Sequence, residues 1–502
     1  MQDKIAQLKE HIARVSDLRR AAAVLNWDQE VQMPPGGVQA RAAQIGTLRG
    51  LAHQLFTSDE VGALLNDLKP CLDQLDYDSD EASLIRVLAR EYDKAVRVPP
   101  AWVEENARVT SLGRQAWAQA KARNDFSTFE PLLERIVALQ REWADFFAPY
   151  DNPYDPLLDR CEPGLDSAQV GALFAGLRPQ LAALVEQITR QGRPVDDSFL
   201  ERPLPPDRQV AFGRMLAARL GYDYRRGRLD LSAHPFTTSF APDDVRITTL
   251  VDPHNFFRCV KSSIHEAGHA LHAQNLDPAL YRTSLDWGAG MAIGESQSRF
   301  YENIIGRSRA FWKRLLPVMQ AFFAPQLDDL ELEAFYRAIN KVQPSLIRVK
   351  ADEVTYGLHI ILRFELENDL VNGRVSVSDL PKEWNARMEA YLGVVPPTDS
   401  EGVLQDIHWS QGSIGYFPDY LLGSIFAVQL WDAMQKDLPD ATAEIEAGRF
   451  EGILRWLRDK VMRHGRKFTL PELAARAVGG PLSAEPFMAY LRAKMDDIYG
   501  LG

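Results

Sequence analysis

His265-Glu266-Ala267-Gly268-His269 is the stretch on which the reading of this chain turns. It has the form H-E-x-x-H. On a helix, residues four apart lie one above the other, so both imidazoles can reach a single metal ion. Glu266 sits about 100° round the helix, where it meets a water on that ion rather than the ion itself. Two ligands, one base, and room for a third ligand and a water are the parts of a metal-dependent hydrolase. The flanks support a helix from Lys261 to Leu276. Serine stands at the candidate N-cap, Ile264, Ala267 and Leu271 recur at helical spacing, and Asp277-Pro278 marks a stop. The small pair Ala267-Gly268 lets another backbone pack close beneath the ligand helix.

A catalytic zinc site usually takes three protein ligands and keeps one open position. His272 follows on the same face, but about 10 Å of helical rise separates it from His265, and each metal–nitrogen bond is only about 2 Å. One straight helix cannot bring all three imidazoles to one ion, so His272 belongs outside the ligand set or at its rim. Glu295 is the better candidate. It follows a glycine-rich loop (Gly288, Gly290, Gly294) and opens a new helical pattern through Phe300, Ile304 and Ile305. A helix returning beside the first would complete a His₂Glu site. The competing reading is a helix-start glutamate favoured by the macrodipole.

Composition sets the frame. The chain has 502 residues, 46% of them apolar and 25% charged, as in ordinary globular proteins. A net charge of -12 argues against nucleic acid or an anionic membrane as partner. Met1 to Glu10 is amphipathic and charged, without the apolar core of a signal peptide, and no apolar run is long enough to span a bilayer. Cys71, Cys161 and Cys259 are odd in number and lack ligand spacing, so they read as small buried thiols in a reducing compartment. The expected location is the cytoplasm.

Most of the chain shows helical periodicity, broken at Met33-Pro34-Pro35-Gly36-Gly37 and at Val98-Pro99-Pro100. Residues 225–252 differ. They are rich in Thr, Phe, Val and Ile around the turn Ala241-Pro242-Asp243-Asp244, and read as a small antiparallel sheet just before the metal helix. Pro344 is expected to open a long helix that stops at Asn372-Gly373. Seven of the ten histidines fall between residues 234 and 408, which puts the chemistry mid-chain. The expected organisation is a single domain, 1–502. Residues 1–200 form a helical scaffold or cover, 225–252 the sheet, 260–425 the metal and substrate site, and the remainder is helical.

Five further stretches resemble the carboxypeptidase Taq family of zinc metallocarboxypeptidases: His234-Pro235-Phe236, Asp244-Val245-Arg246-Ile247-Thr248, Gly294-Glu295-Ser296-Gln297, Ile347-Arg348-Val349-Lys350-Ala351-Asp352, and Gly402-Val403-Leu404-Gln405-Asp406-Ile407-His408-Trp409. Leu25-Asn26-Trp27-Asp28-Gln29 and Met33-Pro34-Pro35-Gly36 are also similar. The resemblance implies a mainly α-helical metallopeptidase fold with a deep groove, a small antiparallel sheet at its edge, and a homodimer. It implies removal of C-terminal residues from peptides with broad tolerance, using Zn²⁺ with Co²⁺ as a substitute. Two positions depart from the family: Gly294 stands where histidine is usual, and His272 where an aromatic residue is usual.

Roles follow from the residues and the resemblance together. Glu266 is the expected general base, taking a proton from water and passing it to the leaving amine. Arg348 would hold the terminal carboxylate with a bidentate guanidinium, which lysine cannot offer. The bland reading pairs Arg348 with Asp352 one turn on. By resemblance, His408 binds substrate or the developing oxyanion, with Gln405 or Asp406 orienting its neighbours. Of Tyr416 and Tyr420, the second is the first choice as oxyanion donor, with Tyr416 binding substrate. Burial with one hydrogen bond is the competing reading for both. His234 and Arg246 flank the hairpin turn, where an edge strand could hold peptide backbone. Two alternatives stay open: an endopeptidase or dipeptidase on the same machinery, and a helical binding protein whose metal is structural.

Overall fold

The computed structural model describes residues 1–286 and 290–501, so Gly288 of the glycine-rich loop lies outside the described residues. Among the described residues there are twenty α-helices and one three-stranded sheet. The first helix, Gln2–Val31, buries Ile5, Leu8, Ile12 and Val15 along one stripe. The proline-glycine break ends it, and Val38–Phe56 returns alongside. With Asp59–Leu68 and Asp80–Arg97 these helices close an apolar cluster of their own, which Leu280 and Leu285 join from far along the chain. The second break separates Asp80–Arg97 from Pro100–Arg123, as expected from Pro99-Pro100. A much larger cluster fills the rest of the molecule and surrounds the metal-helix segment through Val260, Ile264, Ala267 and Leu271.

The small sheet consists of β1 (Gly227–Leu231), β2 (Thr237–Ala241) and β3 (Asp244–Thr249) in the order β1-β3-β2. It is mixed rather than antiparallel. β2 and β3 form the hairpin that the turn residues predict, but β1 runs parallel to β3 (Leu229 opposite Ile247). The cause is the connection from 232 to 236. It returns the chain so that β2 pairs on the far side of β3 and β1 is left on the near side.

Two helix boundaries also differ from expectation. The helix that carries His265 and His269 is Phe257–Gln274 and starts before the serines. Ser262 and Ser263 lie inside it and hydrogen-bond Thr249 at the end of β3 (2.7 and 3.2 Å), so their hydroxyls tie helix to sheet instead of capping. Pro344 does not open a helix. The helix is Thr355–Val371, preceded by a 3-10 turn at Arg348–Lys350 and an irregular stretch. Asp352 supplies the start signal: its carboxylate accepts from the amides of Val354 and Thr355 (both 2.9 Å).

Candidate active site

The helix Phe257–Gln274 presents His265 and His269 together, with ring centroids 5.0 Å apart. Beside it lies Met291–Arg299, which carries Glu295. Gly268 allows the approach, because a Cβ there would sit 2.7 Å from the Gln297 carbonyl oxygen and from Ser298 Cα. On the other side, Gly423 of the helix Pro418–Asp437 faces the Glu295 side chain, with room for no Cβ (2.8 Å to Glu295 Cβ). Glu295 is thus clamped between two helices at two glycines.

Glu295 Oε2 lies 3.8 Å from His265 Nε2 and 3.5 Å from His269 Nε2. One donor atom from each of the three residues falls within 4.8 Å of the others. Ligands about 2.0–2.1 Å from a tetrahedral ion sit about 3.4 Å apart, so the set fits a metal. The outer contacts agree with that use. Glu302 Oε2 is 2.7 Å from His265 Nδ1, which leaves Nε2 for an ion. Arg299 Nε donates to Glu295 Oε1 at 2.6 Å, which turns Oε2 toward the imidazoles. Burial works against the charge on Glu295, but Arg299 and the two histidines outweigh it and hold the carboxyl well below the ordinary value. Glu302 is buried among Lys261, Arg299 and Arg307 (3.2–3.5 Å) and is likewise held far below it.

Glu266 lies off the ligand set. Its carboxylate accepts from Thr237 Oγ1 at 2.7 Å, which ties it to β2 at the sheet edge. His272 is buried at 4% exposure, outside the donor set, and burial pushes its imidazole down to about 4. It is therefore not at a rim. Around Gly294 a Cβ would meet nothing within 4 Å, so packing does not demand glycine there, and nothing in the structure explains the departure.

The chain as a whole matches known proteins. The family model described as Carboxypeptidase Taq (M32) metallopeptidase matches residues 7–495. The chain belongs to the carboxypeptidase Taq family. It is a metallocarboxypeptidase, and peptides are its substrate class. Carboxypeptidase 1 of Bacillus subtilis is 39% identical over 488 residues, 97% of each chain. Thermostable carboxypeptidase 1 of Thermus thermophilus is 38% identical over 96% of each. The crystal structure of M32 carboxypeptidase from Deinococcus radiodurans R1 superposes with a TM-score of 0.96 at 38% identity, covering 99% of this chain and 100% of that one.

The remaining candidates of this family member fall into two groups. Arg348, Asp406, His408, Tyr416 and Tyr420 come together. Arg348 is buried and does not pair with Asp352. Its Nε and one terminal nitrogen reach Asp406 Oδ1 (3.0 and 2.8 Å), and the other terminal nitrogen reaches the Tyr356 hydroxyl (3.2 Å). Each terminal nitrogen keeps a further N–H. Asp406 also binds Arg363 (2.6 Å), and these two guanidinia hold it ionised despite burial. His408 Nε2 is 3.3 Å from the Tyr420 hydroxyl, and its ring packs on Phe417. Burial pushes His408 down to about 4 against the pull of Asp406, so the imidazole is neutral at neutral pH. Burial raises both Tyr416 and Tyr420, so their hydroxyls remain protonated donors. Glu295 contributes to both shifts, which puts these rings within its field.

His234 and Arg246 form the second group and stand apart from the ligand set. His234 is exposed ahead of β2, its carbonyl accepting from Ser232. Arg246 is clamped by Asp244 (2.8 Å at both nitrogens) and stacks on Trp27 and Phe240. Sequence reasoning passed over Thr237, Arg299, Glu302, Tyr356 and Arg363. Glu295, Arg299 and Glu302 share the i, i+4, i+7 spacing of one helix face, and that signal could have found two of them. Of the cysteines, only Cys259 is buried; Cys71 and Cys161 are half-buried, and all three are free thiols. Among the described residues no helix is long and apolar enough to cross a membrane.

Proposed function

We propose that the protein is a zinc-dependent carboxypeptidase of broad specificity, active as a single peptidase domain and as a homodimer in the cytoplasm. The observation that carries this is the His265, His269 and Glu295 donor set with Glu266 beside it. His265 Nε2, His269 Nε2 and Glu295 Oε2 would hold Zn²⁺, with Co²⁺ able to replace it. Bound there, the ion supplies Lewis acidity, polarising the scissile carbonyl and acidifying the attacking water. Glu266 takes the proton from that water and delivers it to the leaving amine. Thr237 fixes Glu266 Oε2, so the carboxylate keeps one oxygen for proton transfer. Tyr420 donates its hydroxyl to the tetrahedral oxyanion, and His408, neutral and 3.3 Å from that hydroxyl, positions it. Tyr416 packs on Tyr420 and lines the substrate's path. Arg348, with two N–H groups left over from Asp406 and Tyr356, receives the terminal carboxylate. His234, ahead of the edge strand β2, and Arg246, on the central strand β3, act on the more distant part of the peptide.

Mass spectrometry of a peptide digest tests this. The expected product is a ladder shortened one residue at a time from the C-terminus, abolished by C-terminal amidation and by Glu266→Gln, with metal still bound in that variant. Internal fragments, or equal cleavage of the amide, would establish an endopeptidase instead.

A further inference from the structure

A cavity of about 580 Å³ is lined by six cations: Arg19, Arg86, Arg90, Arg160, Arg466 and Lys467. Its volume is that of a ligand pocket. Gly290 and Met291 form part of its wall, and they begin the helix that carries Glu295 about 6 Å further along. Arg160 forms another part and donates to the carbonyls of Gly412 and Ile414 (3.3 and 3.1 Å), in the loop between His408 and Tyr416. The cavity therefore touches the start of the helix that carries Glu295 and, through Arg160, the loop that joins His408 to Tyr416.

Its charge is only partly balanced. Lys467 pairs with Asp80 (2.6 Å). Glu91 is shared by Arg466 (3.0 Å) and Arg90 (4.0 Å). Arg19 stacks on Phe56, and among the described residues it has no carboxylate within ion-pair distance. Arg90 Nε is buried without a hydrogen-bond partner. Of the two acids on the wall, Glu472 accepts from Tyr77 and Thr469 and stays ionised facing Arg86, so it offsets one of the six charges. Glu162 accepts from the Ala292 amide (2.8 Å), and burial favours its neutral form. In a chain of net charge -12 this is a local reversal of sign, and clefts of one sign concentrate ligands of the other. None of the residues that surround Arg348 lines the cavity, so the peptide's terminal residue and the cavity are separate.

We propose that this cavity binds acidic side chains on the residues that precede the scissile bond, making the enzyme selective for peptides with Asp or Glu upstream of the C-terminus. The inference rests on the carboxypeptidase reading above and deepens it. The test uses N-blocked tetrapeptides with one common C-terminal residue and either Glu or Gln at each preceding position. The wild-type enzyme should favour Glu over Gln at one of these positions by about tenfold in kcat/KM at low salt, the preference shrinking as salt rises. Arg90→Gln and, independently, Arg19→Gln should cut that preference severalfold and leave the all-Gln peptide's kcat/KM unchanged. Equal turnover of Glu and Gln peptides, or a preference that survives both substitutions, would overturn the proposal. Tripolyphosphate that inhibits all peptides alike, with no Glu preference, would reassign the cavity to a free anion. Failure to release the terminal residue from either peptide would instead sink the carboxypeptidase reading itself.

Discussion

Replacing Glu302 with Gln tests how the metal site is held. Glu302 Oε2 accepts from His265 Nδ1 at 2.7 Å, and its two oxygens face Arg299, Lys261 and Arg307 at 3.2–3.5 Å. The residue reaches this place in a π-helical segment, Phe300–Ile305, that continues the Glu295 helix. Such segments cluster at functional sites. Two effects should follow. If His265 holds the metal as proposed, losing the carboxylate behind it costs about 10–100-fold in metal affinity, or about 1.4–2.7 kcal/mol. Three cations are also left around a neutral amide, and breaking a buried ion cluster costs about 3–5 kcal/mol of stability. Competition with a chelator measures the first and denaturant unfolding of the metal-free protein the second. Glu302→Asp separates them, since it keeps the charge but not the reach to Nδ1: affinity should fall while most of the stability returns. If Glu302→Gln bound metal as tightly as the wild type while unfolding more easily, the carboxylate would serve charge balance alone, and its role in orienting His265 would be refuted.

Gly268→Ala should cost about 1–3 kcal/mol in denaturant unfolding, because its Cβ would meet the backbone of Gln297 and Ser298 and force the two ligand helices apart; unchanged stability would remove that contact from the argument. Arg348→Lys should lower kcat/KM on free-acid peptides by about 10–150-fold, the worth of one charge-assisted hydrogen bond, with zinc content unchanged; equal activity would dismiss Arg348 as the carboxylate anchor. Glu162→Gln probes pH. The folded-state carboxyl is pushed up to about 8 by burial, above an unfolded value of about 4.3, so its contribution favours the fold at low pH and is lost as pH rises to about 8. The variant should therefore gain stability relative to wild type as pH rises from about 5 to about 8; a constant difference would contradict the shift.

The grouping of the candidate donors was legible because helical spacing is strict. His265 and His269 sit four apart on a helix, and Glu295 stands four residues into the next α-helix, so local sequence carries the donor set. The exclusion of His272 came from helical rise alone, and the buried His272 lies outside that set. What local sequence could not carry were contacts between distant segments. Arg348 has Asp352 within one turn, yet Asp406, brought in from 58 residues away, takes its guanidinium. The mixed sheet and the late start of the helix Thr355–Val371 fail for the same reason. Strand order depends on how a short connection packs, and Asp352 outcompetes Pro344 as a start signal because its side chain satisfies the first free amides.

The central claim is a single ion held by two imidazoles and a carboxylate. Anomalous diffraction at the zinc edge from crystals of the metal-loaded protein measures it directly. The account predicts one peak about 2.0–2.2 Å from His265 Nε2, His269 Nε2 and Glu295 Oε2 alike. A peak bound through Nδ1, or one that leaves Glu295 uncoordinated, would contradict it.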